Sequence, residues 1–138
     1  MYHSKKSQSI SILIVEDNSL DTMIATALLQ NHFTVHAVTN GYDAIKVLEK
    51  YKIDIILMDI NLGDENMDGI KTLNIIRENK KYDSVIIFAV TACAFAHDRA
   101  FFIKEGFDEL YIKPVIKEEM FDAINNTLKK QNTVSLLQ

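Results

Sequence analysis

Asp59 closes the apolar run Ile53-Asp54-Ile55-Ile56-Leu57-Met58, Glu16-Asp17 follow a second such run ending at Val15, and Lys113-Pro114 follow a third ending at Ile112. If these runs are neighbouring parallel strands, three carboxylates and one ammonium meet at one end of a sheet. Oxygen ligands of this kind suit a divalent cation that keeps several of its waters, and the ammonium suits phosphoryl oxygens. A carboxylate attacks phosphorus only when the negative charge on both groups is screened, which one metal and one lysine together provide. Clustered carboxylates also repel one another, so without metal at least one of them should hold its proton more tightly than usual. Taken singly, each residue has a plainer role. Glu-Asp after a strand often only complements a helix dipole, a strand-terminal Asp can cap a loop, and a lone lysine is ordinarily a surface residue. Their joint placement favours a site.

The elements that must position these residues follow from periodicity. Short runs rich in β-branched residues alternate with longer helical stretches, the pattern of repeated βα units around a parallel sheet. Strands are predicted over residues 10–15, 33–38, 53–58, 85–90 and 107–112. Asn18 or Ser19 caps a first helix carrying Leu20, Ile24, Ala27 and Leu28 at three- and four-residue spacing. Thr39-Asn40-Gly41 turns the chain into a second helix, with Ala44, Ile45, Val47 and Leu48 inward and Lys46, Glu49 and Lys50 outward. A third carries Ile70, Leu73, Ile76 and Arg77 and ends near Lys80. A fourth runs from about Phe95 to Lys104 and stops at Gly106, and a fifth spans residues 115–130 with Met120, Phe121, Ile124 and Leu128 inward. Right-handed crossovers place helices on both faces, giving a doubly wound (βα)5 three-layer sandwich of α/β class. A crevice forms where the strand order reverses, at the carboxyl ends of strands one and three.

Composition bounds the rest. A chain of 138 residues with 48% hydrophobic content makes one domain, expected over residues 10–130 between a flexible N-terminal tail (1–9) and a frayed C-terminal one (131–138). A formal charge of -4 offers no footprint for direct nucleic-acid binding. Cys93 is the only cysteine, which excludes an intrachain disulfide and a multi-cysteine metal site. No stretch has the apolar length of a membrane span and the start does not resemble a signal peptide, so a cytoplasmic protein is expected. His3, His32, His36 and His97 are scattered without metal-ligand spacing, and Gly41 and Gly63 form no phosphate-cradling loop.

The motifs Ile12-Leu13-Ile14-Val15-Glu16-Asp17-Asn18, Ile56-Leu57-Met58-Asp59, Met67-Asp68-Gly69, Thr91-Ala92 and Tyr111-Ile112-Lys113-Pro114 occur in order, each at the end of its expected strand. In these the chain resembles the response-regulator receiver family, over residues 10–130. The resemblance implies a flavodoxin-like fold with strand order 2-1-3-4-5. It implies Asp59 as phosphoacceptor, Asp17 as a direct magnesium ligand, Glu16 as an acidic helper acting through water, and the Asn61 main-chain carbonyl as a further ligand, with manganese able to substitute. Lys113 becomes the phosphoryl contact, and Thr91 and Tyr111 become the switch residues. The same two could otherwise cap a helix and fill the core. The implied donor is a sensor histidine kinase or a histidine phosphotransfer protein, and the implied output is a downstream protein bound at the fourth helix, fifth strand and fifth helix. Such a protein is a switch, limited to self-directed phosphotransfer and autodephosphorylation, rather than an enzyme acting on other substrates.

One segment departs from the family's commonest form. The loop over residues 61–69 lacks the proline that usually follows the acceptor strand and is about two residues longer before Gly69, with Asp64, Glu65 and Asp68 expected as a solvated acidic rim. Lys113-Pro114 marks a constrained turn whose peptide is cis in the family and trans in most X-Pro bonds. With no effector following, a stand-alone receiver is expected. The small Cys93, two residues after Thr91, should leave water a path to the acyl phosphate and give it a short or intermediate lifetime. Two rivals stand beside this reading: a receiver-fold interaction module working without phosphorylation, and a small magnesium-dependent phosphohydrolase of the haloacid-dehalogenase type. The second resembles Asp-x-Asp, whereas Asp59-Ile60-Asn61 lacks the second acid.

Overall fold

A computed structural model describes residues 9–93 and 98–137, with side chains described through residue 132. Most of the expected N-terminal tail, the start of the fourth helix at Phe95, and His3 and His97 lie outside the described residues. Five strands form one parallel sheet in the order β2-β1-β3-β4-β5: β1 (Ser11–Val15), β2 (Thr34–Val38), β3 (Ile55–Asp59), β4 (Ile86–Thr91) and β5 (Glu109–Ile112). The helices are α1 (Ser19–Leu29), α2 (Gly41–Lys50), α3 (Gly69–Glu78), α4 (Asp98–Glu105) and α5 (Lys117–Leu137), with one 3-10 turn at Lys80–Tyr82.

Alternation along the strands divides the core into two halves. Leu13, Val15, Ile56, Met58, Ile87 and Ala89 face α2, α3 and α4, where Leu48, Leu73, Ile76 and Phe102 meet them. Ile12, Ile14, Ile55, Leu57, Phe88 and Val90 face the other way, against Ala25 and Leu29 of α1 and Met120 and Ile124 of α5. Successive side chains of a strand point to opposite faces, so strands covered on both sides read as unbroken apolar runs. Every residue of β3 and β4 is buried, whereas β2, at the sheet edge, is only partly so.

Caps fix where the helices begin. Asn18, Asn40 and Asp68 each accept a main-chain N–H three residues on, from Asp21, Asp43 and Lys71, contributing about 1 kcal/mol apiece. Asp68 is therefore a helix cap rather than part of the acidic rim; Asp64 and Glu65 are exposed. The longer loop is pinned by its apolar residues, since Leu62 and Met67 are each 4% exposed. Gly63 lies at φ +79°, where a side chain is disfavoured.

Several predicted boundaries move. β3 begins at Ile55 because Asp54 instead accepts the Ser11 N–H through its carboxylate. β5 begins at Glu109 because Phe107 packs edge-on against Phe102 and Asp108 accepts the Ile87 N–H. α3 ends at Glu78, and α5 starts at Lys117 and continues to Leu137, past the end expected at Lys130. On α1 the inward residues are Ala25 and Leu29, while Leu20 and Ile24 of the predicted set are 60% and 44% exposed and Ala27 is also exposed.

Candidate functional site

The parallel register brings the carboxyl ends of the strands level. Val15 pairs with Met58, Asp59 with Val90 and Thr91 with Ile112, so Glu16-Asp17, Asp59, Thr91 and Lys113 emerge at one edge. Main-chain bonds continue just past the strands: Glu16 N–H to the Val38 carbonyl (3.0 Å), Ile60 N–H to that of Val90 (3.0 Å) and Lys113 N–H to that of Thr91 (2.8 Å). These hold the site residues on the sheet frame. The peptide between Lys113 and Pro114 is cis.

Oxygens of Glu16, Asp17 and Asp59 lie within 4.8 Å of one another. Glu16 and Asp59 are each 5% exposed, whereas Asp17 is open to solvent. Three hard oxygen donors, one of them accessible, fit a magnesium ion that retains waters better than a closed cage. Asn61, whose main-chain carbonyl the family resemblance implies as a ligand, donates its N–H to Asp59 Oδ1 at 3.1 Å. Lys113 Nζ lies 2.6 Å from Glu16 Oε1, 2.9 Å from Asp21 Oδ2 and 3.8 Å from Asp59 Oδ2.

Electrostatics follow from this crowding. Burial, then a hydrogen bond shared with the Glu16 side chain and the negative charge of Glu16, raise the Asp59 carboxyl to about 7, against the opposing Asn61 N–H and Lys113 charge. For Lys113, burial disfavours the charged form, but bonds to Glu16 and Asp21 and the nearby charges of Asp59 and Glu16 outweigh it and hold the ammonium above its usual range. At neutral pH the lysine stays charged. The Asp59 carboxyl, by contrast, gains its full negative charge only as its proton leaves.

The two expected switch residues are placed differently. Thr91 is 3% exposed, and its hydroxyl donates to the Cys93 carbonyl (3.2 Å) and accepts from the Cys93 N–H (3.3 Å). The Tyr111 ring is already inside, 7% exposed, with its hydroxyl accepting the Ile116 N–H at 3.0 Å. A cavity of about 310 Å³ opens beside Asp59 between α1 and the chain after β5, with Glu16, Asp21 and Lys113 at its polar side and Ile14, Leu57 and Met120 among its apolar walls.

Asp21 is the residue the sequence reading missed. Its position in the first turn of α1 reads as an ordinary dipole complement, and its lysine partner lies 92 residues away. The available signal was an acid one helical turn beyond an acidic pair. Among the described histidines, His32 packs edge-on against Phe121 and His36 tilts against Tyr51, and neither belongs to the acidic trio.

Comparison with known proteins points the same way. Residues 12–125 match the family described as the response regulator receiver domain. Among curated proteins, the transcription factor SKN7 of Saccharomyces cerevisiae is 29% identical over 86% of this chain, which spans only 18% of that protein's length. Among solved structures, the receiver domain of the sensor histidine kinase PA1611 from Pseudomonas aeruginosa, with a magnesium ion coordinated in its active-site cleft, is 29% identical with a TM-score of 0.77, covering 88% of this chain and 98% of that one. The co-crystal of the S. cerevisiae histidine phosphotransfer protein Ypd1 with the receiver domain of Ssk1 matches at 27% identity and a TM-score of 0.75, covering 84% of this chain and 86% of that one.

Proposed function

The chain belongs to the response regulator receiver domain family, and on that footing we propose that Asp59 accepts a phosphoryl group from a phosphohistidine donor in a magnesium-dependent reaction and that this event resets a protein-binding face. The observation that carries the reading is the meeting of Glu16, Asp17 and Asp59 within 4.8 Å, with the Lys113 amine 3.8 Å from the acceptor. Asp59 Oδ attacks phosphorus, the phosphorus–nitrogen bond to the donor imidazole breaks, and the imidazole leaves with a proton, giving an acyl phosphate. Glu16, Asp17, Asp59 and the Asn61 carbonyl would hold the magnesium ion, which when bound screens the charges that otherwise keep carboxylate and phosphoryl apart.

Lys113 then takes a phosphoryl oxygen. The Thr91 hydroxyl, now shared with the Cys93 main chain, can exchange those bonds for another phosphoryl oxygen and draw the loop after β4 with it. Tyr111 joins this movement through its bond to Ile116. Exposed Phe101 and Ile103 on α4 and Ile112 on β5 support an output surface of α4, β5 and α5. Exposed Leu20, Met23 and Ile24 on α1, the last lining the cavity that reaches Asp59, support the approach of the phosphodonor from that side. A histidine phosphotransfer protein or a sensor kinase fits that role, in the cytoplasm, where a stand-alone receiver would act through a partner protein. The mass of the native polypeptide on a denaturing gel tests the stand-alone part.

Incubation with magnesium and phosphoramidate, followed by intact-mass measurement, tests the central claim. Wild type should gain one phosphoryl group and Asp59→Asn none. No gain in either protein would leave an interaction module working without phosphorylation; turnover of p-nitrophenyl phosphate would point to a phosphohydrolase instead.

A further inference from the structure

Lys113 is surrounded by three carboxylates that are not equivalent. An ammonium has three N–H donors in a tetrahedral fan. Two are taken, by Glu16 Oε1 at 2.6 Å and Asp21 Oδ2 at 2.9 Å. Asp59 Oδ2 at 3.8 Å is within ion-pair range but beyond hydrogen-bond length, so the third donor is the one left for an oxygen carried on Asp59. Glu16 and Asp59 also belong to the acidic trio suited to a cation, whereas Asp21 lies outside it. Among the described residues, Asp21 is thus the one partner of Lys113 that stands outside the acidic trio.

The main chain that carries its carboxylate is held by a helix cap. Asp21 sits in the first turn of α1, and its own N–H is capped by Asn18 Oδ1 at 2.9 Å. Lys113 follows β5 on a four-carbon stem with many rotamers, and its side chain is only 16% exposed. We infer that Asp21 is a positioning residue for phosphoryl uptake: by holding Lys113 from the α1 side, it keeps the remaining N–H of the ammonium aimed at the phosphoryl group on Asp59. The inference rests on the phosphoacceptor reading above. It adds a residue that touches neither the transferred group nor the cation and acts only through the lysine.

Two substitutions separate positioning from simple structural support. Asp21→Asn keeps an oxygen acceptor of the same shape, whereas Asp21→Ala removes it. With phosphoramidate varied at saturating magnesium, Asp21→Ala should lower the maximal phosphorylation rate by about tenfold, with the half-saturating donor concentration changed much less. Asp21→Asn should restore the rate to within about threefold of wild type, and magnesium affinity measured by calorimetry should stay within about twofold for both. Equal maximal rates for wild type and Asp21→Ala, with only the melting temperature lowered, would overturn the inference and make the pair a strut. An equal loss of rate in both variants would do so too, as would a parallel fall in magnesium affinity, which would place Asp21 among the cation's ligands. Failure of wild type itself to take up phosphoryl would overturn the parent reading together with this one, so the two failures are distinct.

Discussion

Gly69 lies directly beneath Asp59: a β carbon at position 69 would stand 2.5 Å from the Asp59 carbonyl oxygen and 2.9 Å from the Ile60 Cα. Both obstacles are main chain, which cannot swing aside as a side-chain tip can. Gly69→Ala should therefore push the end of β3 out of place, at a cost of about 1–3 kcal/mol by urea unfolding. The phosphorylation rate should fall as well, because the displaced residue is the proposed acceptor. Unchanged stability and rate would show that the loop yields instead.

The pH dependence of the metal-free protein follows from Asp59. Its folded pKa, about 7, lies above the ordinary 3.8, so the folded state binds this proton more tightly than the unfolded chain does. The associated stability is complete below the unfolded value and is lost as pH rises through about 7. Between pH 5 and 8 the melting temperature without divalent cations should thus decline with rising pH, and Asp59→Asn should flatten the decline. Magnesium should bind more tightly at pH 8 than at pH 6, because it competes with that proton. Calorimetry at the two pH values checks the sign.

Arg77 ties the α3–β4 and α4–β5 connections together. Its guanidinium donates to the carbonyls of Gly106 (3.3 Å), Tyr82 (3.1 Å) and Val85 (2.9 Å) and to Asp108 Oδ2 (3.0 Å). Arg77→Met keeps much of the stem packing and removes these four hydrogen bonds, so a loss of about 3 kcal/mol is expected in urea unfolding. Because these contacts lie at the entrances to β4 and β5, away from the acids, magnesium affinity should be unaltered.

Cys93 is exposed and shares hydrogen bonds with the Thr91 hydroxyl. Cys93→Arg should place a long side chain over the approach to Asp59 and slow hydrolysis of the acyl phosphate by excluding water. Decay of the phosphorylated mass after removal of donor measures the lifetime. No lengthening would count against water access at this position.

Much of this molecule could be read from residue order. β3 and β4 are apolar on both faces and appear as continuous runs, and the acids and lysine at strand ends coincide once the register is parallel. Helix α1 was legible as a helix but not in its orientation. Leu20, Met23, Ile24 and Ala27 make one apolar stripe and Ala25 and Leu29 another, so periodicity alone does not choose between them. The sheet chooses, and leaves the larger stripe in solvent. Asp21 escaped notice for a different reason: its role depends on a partner 92 positions away. Local spacing carries no trace of such a bond.

Glu16 and Lys113 touch across 97 positions of chain. Between them run all four crossovers of the five-stranded sheet, which must be in place before the two ends meet. A nascent polypeptide that has not yet laid down β5 therefore holds its acids without their counter-ion, and a chain cut within any intervening crossover loses the frame that joins them. The acidic pocket and its ammonium thus come together only in a polypeptide whose whole sheet has formed.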